Sequence, residues 1–334
     1  MDTVVVGGGV GGLACAVALS RAGRSVSVLE RRVEAADAGT GLGMWPNAMR
    51  ALDAMGLGDD VRAAGVAQRE YVFRRSDGRR LGGAKGDVVI ISRGSLTKLL
   101  LGALPDSVVR TGVEVSDVDE IDARTVVAAD GINSVLRQQV FGPRSTPVYS
   151  GYTAWRGILD GEYGPHGEIL GKGRKFGVTG VEGGRTNWFA PVWAPVGTPF
   201  DDLYRHFEGW CDPVSEILAR TGRDDILRHD LYYVDPPLHS YVSGRVVLVG
   251  DSAHAMTPDL GQGACQALID GATLGDCLVR YEPAEALRRY DSIRRRPSQR
   301  MARIARLLGQ LTMRPGLTGA RNVLLRAASL GNRT

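Results

Sequence analysis

The chain has 334 residues, 43% of them hydrophobic and 23% charged, and a net charge of +4. That length holds one large or two moderate domains with ample core, and the composition is that of an ordinary globular protein. No stretch approaches the roughly twenty apolar residues of a membrane span, and the first residues read as a strand rather than a leader. Cys15, Cys211, Cys265 and Cys277 show neither a Cys-x-x-Cys pair nor a metal-ligand spacing with histidine. The expectation is a cytoplasmic protein with no metal, no nucleic-acid partner and no integral membrane segment.

Asp2–Val6 is valine-rich and predicts a buried parallel strand. Gly7, Gly9 and Gly12 follow at the spacing of a dinucleotide fingerprint. Gly7 allows the tight turn, Gly9 lets a pyrophosphate approach the backbone, and Gly12 lets the helix pack on the strand. Val10–Arg21 has helical periodicity, so the N–H groups around Val10 and Gly11 point with the dipole at the phosphates. Ser25–Leu29 is a second strand that runs into Glu30 and Arg31. An acid about twenty positions past the fingerprint is where a ribose hydroxyl is held.

A glycine-rich excursion over residues 39–43 precedes a helix starting at Pro46, a residue suited to the first helical position. Residues 69–84 read as a hairpin around Ser76-Asp77-Gly78, and Val88–Ile91 as a further strand. Arg93 opens a short helix through Leu101, and Val108–Val115 supplies one or two strands. Arg124–Ala129 is a strand ending at Asp130-Gly131, with a helix from Asn133.

Residues 148–200 change character. Tyr152, Trp155, Phe176, Trp188, Phe189 and Trp193, with a turn at Glu182-Gly183-Gly184, predict an antiparallel sheet. Helix follows over 200–221, strand near Leu231–Val234, and a returning strand at Arg245–Val249 runs into Gly250-Asp251. Helices are expected over 262–279, 284–312 and 318–330. The arginines from Arg288 to Arg306 read as the solvated face of the long helix, above an apolar stripe of Leu287, Ile293, Ile304, Leu307, Leu308 and Leu311. Two glycine-rich turns at opposite ends of the chain imply one long dinucleotide between them, and FAD suits that better than NAD.

Three motifs carry a family resemblance: the fingerprint, Ala129-Asp130-Gly131 through Arg137, and Gly250-Asp251-Ser252-Ala253-His254 through Pro258 and Gly261-Gln262-Gly263. Together they resemble the single-component flavoprotein monooxygenases of the p-hydroxybenzoate hydroxylase type. Gly41–Ala48 and Gly151–Gly157 further resemble the branch with urate hydroxylases and zeaxanthin epoxidases. The resemblance covers about residues 2–312.

It implies an α/β fold: a GR2-type Rossmann-like FAD-binding domain over 1–68, 87–147 and 244–285. An inserted antiparallel substrate domain takes 69–86 and 148–243, and a C-terminal helical region 286–334. It implies non-covalent FAD held by Gly7, Gly9, Val10, Gly11, Gly12, Glu30, Arg31, Arg93, Val115, Asp130, Gly131, Asp251, Pro258, Gly261, Gln262, Gly263 and Ala264. Asp251 would accept from the ribityl chain, and the helix from Gln262 would present its positive end to the flavin. His254 belongs to the scaffold, and Arg137 is read as pairing with Asp130. Met44, Arg156, Lys175, Trp188, Phe189, Trp193 and Pro258 are the candidate substrate pocket.

The implied reaction uses NAD(P)H as a transient co-substrate and O2, through a flavin C4a-hydroperoxide, to hydroxylate or epoxidise an apolar aromatic or alkene. The protein would act as a monomer or homodimer. Asn187-Trp188 stands where urate-hydroxylating relatives place a tyrosine, which argues against urate and for a bulkier pocket edge. The segment from Leu101 to Asp130 is short and lacks a hairpin. Trp193-Ala194-Pro195 does not match the halogenase motif. A reductase of isoprenoid double bonds, or a flavin-binding module without activity, are the alternatives.

Overall fold

The computed structural model describes residues 2–33, 40–143 and 145–331. Gly39, at the start of the glycine-rich excursion, lies outside them. The N-terminal elements are β1 (Thr3–Val6), α1 (Val10–Arg21), β2 (Val26–Glu30), β3 (Gly41–Met44), α2 (Pro46–Ala54), α3 (Gly58–Ala64), β4 (Val66–Arg75), β5 (Arg80–Ser92) and α4 (Arg93–Gly102). Then come β6 (Val109–Thr111), β7 (Thr125–Ala128), α5 (Val135–Phe141), β8 (Pro147–Asp160), β9 (Gly167–Gly171), β10 (Arg174–Val181) and β11 (Arg185–Trp193). The chain closes with α6 (Asp202–Phe207), α7 (Val214–Arg220), β12 (Leu227–Val234), β13 (Val242–Ser243), β14 (Val246–Leu248), α8 (Asp251–His254), α9 (Gly263–Arg280), α10 (Pro283–Met313) and α11 (Thr318–Gly331).

Two sheets organise these elements. The smaller has the order β13-β14-β7-β1-β2-β6 and is parallel except at β13. Its central strands are valine runs buried on both faces, as a helix-covered parallel sheet requires. The larger has the order β12-β8-β11-β10-β9-β4-β5-β3 and is antiparallel except for the β4–β9 pair. The predicted hairpin at 69–84 and the strand at 88–91 are one continuous pairing of β4 with β5. β3 and the end of β5 pair within the larger sheet, while Met44 and Ile91 bury their side chains in the core of the parallel-sheet unit. Between Leu101 and Asp130 the described residues contain β6, a 3-10 turn at Val118–Glu120 and β7, with no hairpin.

The seam between α1 and α9 sets the geometry of the nucleotide site. A Cβ on Gly271 would lie 2.2 Å from the Gly11 carbonyl oxygen, and one on Gly275 would lie 2.4 Å from Ala18 Cβ. The two helices therefore touch backbone to backbone, and both N-termini come to one end of the parallel sheet. Cys15 packs in this seam fully buried, and burial pushes its thiol up to about 12; it is a small core residue.

Candidate functional site

A cavity of about 880 Å3 lies between the two sheets. Its floor is the fingerprint turn. Gly7 has φ +108°, and a Cβ there would sit 2.3 Å from the Ala129 carbonyl oxygen. A Cβ on Gly12 would sit 2.2 Å from the Gly7 carbonyl oxygen, so both positions exclude a side chain. Gly9 has open space where its side chain would be. As the N-cap of α1 it offers no side-chain oxygen, and no acid lies in the first turn. The N–H groups there are left for a ligand. Glu30 folds back on the loop, accepting from Gly8 N at 2.6 Å and Arg32 N at 3.0 Å.

The opposite wall is the turn after β14. Gly250 (φ +62°) donates to Asp270 Oδ2 at 2.9 Å and delivers Asp251 to the cavity. Gly261 is left-handed (φ +61°) and leads into α9. The N-cap residue Gln262 does not cap α9, because its Oε1 accepts from Asn47 Nδ2 at 3.1 Å and Gln266 Nε2 at 3.2 Å. This N-terminus too keeps its N–H groups free.

Of the predicted cofactor residues, Gly7, Gly9, Val10, Gly11, Glu30, Arg31, Arg93, Val115, Asp130, Gly131, Asp251, Pro258, Gly261, Gly263 and Ala264 line the cavity. Gly12 and Gln262 stand behind it. Asp130 Oδ2 accepts from Leu136 N at 3.3 Å, while Oδ1 is buried without a partner among the described residues. Arg137 does not pair with Asp130. It donates to the carbonyls of Ile132 (2.6 Å), Ser145 (2.8 Å) and Ser252 (3.1 Å), binding the Asp-Gly segment to the Asp251 turn. Burial lowers its pKa from the usual arginine value.

The roof is the larger sheet, and strand alternation decides which residues reach the cavity. Ala154 and Arg156 on β8, Asn187, Phe189 and Pro191 on β11, Lys175 and Thr179 on β10, and Glu168 and Leu170 on β9 all face it. Gly177 sits beneath Phe189: a Cβ there would fall 2.0 Å from the ring. Three predicted pocket residues lie elsewhere. Trp188 is one residue out of phase, fully buried on the far face and stacked on Phe176 at 5.4 Å. Met44 is fully buried in the core of the nucleotide unit, and Trp193 packs outside the cavity beside Gly173 and Tyr152. The bulk expected at 188 is therefore absent from the pocket edge. Asn187 occupies it, with its Oδ1 accepting from Gly41 N (2.7 Å) and its Nδ2 donating to Thr179 (2.9 Å).

The roof has two charged ends. Lys175 Nζ lies 3.2 Å from Glu168 Oε1 and 3.6 Å from Asp259 Oδ1. Burial works against its charge, but the two carboxylates outweigh that and raise its pKa. Tyr152 donates to Asp259 Oδ2. Arg156 has no carboxylate partner among the described residues, and its Nε is unpaired. Burial, with the charge of Arg93, lowers its pKa to about 10.

Sequence reading missed a buried network behind the turn that follows β14. Asp270, wholly buried, accepts from Gly250 N, His254 Nε2 and Arg294 Nε, and Arg294 also reaches Gln266 Oε1 at 2.7 Å. His254 Nδ1 has no partner among the described residues. His254 is held against Asp270 and does not line the cavity. Leu308, Thr312 and Leu325 also line the cavity, so α10 and α11 belong to its wall.

Two helix N-termini free of capping, glycines that admit a close ligand and an unpaired Asp130 Oδ1 suit an extended dinucleotide phosphate. A parallel nucleotide-binding sheet under an antiparallel roof, with the cavity between them, suits a flavoprotein. A family model described as an FAD binding domain matches residues 1–92 and 235–305. The aurachin C monooxygenase/isomerase of Stigmatella aurantiaca is 34% identical over 327 residues, spanning 88% of this chain and 85% of that protein. The 3-amino-4-hydroxybenzoate 2-monooxygenase of Streptomyces cremeus is 34% identical over 345 residues, spanning 92% and 86%. The solved structure of Klebsiella pneumoniae HpxO complexed with FAD and uric acid superposes with a TM-score of 0.90 at 27% identity, covering 99% of this chain and 94% of that one. The chain belongs to the FAD-dependent monooxygenases of the p-hydroxybenzoate hydroxylase type.

Proposed function

We propose that the chain inserts one oxygen atom of O2 into an apolar aromatic ring or alkene, using NAD(P)H as the reductant. The balance is substrate, O2, NAD(P)H and a proton going to oxygenated product, NAD(P)+ and water. Bound FAD supplies hydride acceptance and O2 activation. The observation that carries this reading is one continuous cavity. It runs from the phosphate-side glycines Gly7 and Gly9, past Asp251 and Gly261–Gly263, to a roof of Ala154, Leu170, Phe189 and Pro191.

In this reading Gly7, Gly9 and the α1 N-terminus hold the pyrophosphate, and Glu30 holds the ribose. Asp251 accepts from the ribityl chain, and Arg93 and Val115 flank the dinucleotide. Pro258 and Gly261 bring backbone against the flavin, whose reduced form the α9 N-terminus stabilises. The apolar roof and Leu308 keep water from the reacting atoms. Lys175, held charged by Glu168 and Asp259, fixes the polar end of the substrate, and Arg156 offers a second cationic anchor.

The test is to purify the yellow holoenzyme and screen aromatic and polyene compounds for stimulated NAD(P)H consumption. The product should gain one oxygen, and NMR separates a phenol from an oxirane. Turnover that persists without O2 refutes oxygenation in favour of a double-bond reductase. No stimulation by any compound, with the flavin bound, refutes the enzyme reading of the pocket.

A further inference from the structure

Charge is distributed very unevenly along this chain. Ten of its 41 basic residues and none of its 37 acidic ones lie after Asp291, so this last segment carries +10 and the rest carries −6. Asymmetry of this kind marks a partner of opposite charge. Eight of the ten arginines divide into two sets. Arg294 is bound to Asp270, Arg295 to Asp291 and Arg306 to Asp235, and Arg321 donates to the carbonyls of Gly171 and Thr312. Arg296, Arg300, Arg303 and Arg314 are exposed and make no ion pair with any described residue.

Of the apolar stripe expected beneath the arginines, Leu287 is buried and Leu308 and Leu311 are half-buried, but the other three members lie beside the arginines. Ile293 is 52% exposed, Ile304 41% and Leu307 58%. Positions 293, 296, 300, 303–304 and 307 fall on one face of α10 at helical spacing, and Leu317 is exposed in the turn beyond. A merely solvated face has no use for three large aliphatic side chains among like charges, which repel one another at these spacings.

We propose that this face of α10 docks on an anionic lipid surface, its arginines on the phosphates and its aliphatics among the acyl chains beneath. Both halves of the face are then satisfied, as in basic amphipathic helices that lie in the membrane interface. A nucleic-acid backbone would satisfy the arginines alone, and the face offers no aromatic ring for bases to stack on. Leu308 and Thr312 line the cavity from the same helix, so docking lays one cavity wall against the bilayer, where an apolar substrate would concentrate. The docking itself does not depend on the substrate assignment.

The experiment uses flavin-loaded full-length protein. It is sedimented with vesicles of phosphatidylcholine alone and of phosphatidylcholine mixed with phosphatidylglycerol. Binding to the mixed vesicles only, weakened by salt, is expected. The triple variant R296S/R300S/R303S should lose about fivefold in affinity per arginine, on the order of a hundredfold in all. I304S/L307S should also weaken binding but leave its salt dependence unchanged. Flavin content and soluble NAD(P)H oxidation, which these residues do not touch, report that each variant is folded. Equal binding to both vesicle types, or none to either, overturns the proposal. So does tighter binding to duplex DNA or RNA that the arginine variant abolishes and I304S/L307S leaves intact.

Discussion

Replacing Arg294 with methionine isolates what the Asp270 network contributes. Arg294 and Asp270 have side chains 9% and 0% exposed, so neither charge can be rescued by water when the other is removed. Breaking one partner out of a buried pair costs about 3–5 kcal/mol, which for a chain of this size is a fall in melting temperature of roughly 4–7 °C. R300M, one turn and a half away on the exposed face, should change stability by less than about 0.5 kcal/mol. The pH dependence is specific. Burial alone would raise the Asp270 pKa, but His254, Arg294 and Gly250 N outweigh it and hold it below the ordinary carboxylate value. A carboxylate with a lowered folded pKa contributes stability above its unfolded pKa, and loses it as pH falls through the folded value. R294M removes one of those stabilising partners, so its acid limb should begin at higher pH than in the parent. Thermal denaturation followed by circular dichroism and flavin fluorescence, from neutral pH downward, measures both effects. D270N/R294M should be less damaged than the two single losses added together. An R294M protein as stable as R300M, with an unmoved acid limb, would refute the reasoning.

Other consequences are equally direct. G12A places a methyl group against the Gly7 carbonyl oxygen, and should cost roughly 1–3 kcal/mol and leave protein of low flavin content; a fully yellow G12A would show the fingerprint turn to be tolerant. F189A removes the ring lying over Gly177, and in the proposed reaction should raise the ratio of hydrogen peroxide to oxygenated product, read by peroxide assay against product yield. R156M removes a cation that burial disfavours and no carboxylate offsets, so it should raise the unfolding free energy by about 1 kcal/mol, read as a higher urea midpoint, while lowering substrate-stimulated turnover; a lower midpoint contradicts the charge argument. Native-state thiol titration should label Cys211 and leave Cys15, Cys265 and Cys277 unreacted, because the latter three are buried and burial pushes the thiols of Cys15 and Cys265 up to about 12 and about 11.

The floor of the cavity was legible in sequence because covalent geometry fixes it. Gly7 and Gly12 meet backbone atoms, and any side chain there is excluded whatever the surroundings. The roof was not. β11 is buried on both faces, so its burial pattern does not alternate and nothing local tells Trp188 from Asn187 or Phe189. Only its register with β8 and β10 settles which residue faces in. The arginine helix failed for a related reason. Charge gave the facing of α10 as outward, yet Arg294 turns inward because an acid 24 residues earlier, on another helix, receives it. That information is pairwise and has no trace in helical periodicity. Asn187 had a weak signal, as a departure from the pattern that the family resemblance implies at that position.

The middle of the parallel sheet is assembled from residues 3–6, 125–128 and 246–248. During synthesis, β1 and β7 leave the ribosome long before β14 exists, and the chain between them must form its own sheet in the meantime. Such sequence-distant pairing makes for slow closure, and the early product displays an unfinished valine edge. A chain interrupted before residue 246 would carry the whole antiparallel roof and yet lack the last strand, making premature termination a route to aggregation rather than to a smaller flavoprotein.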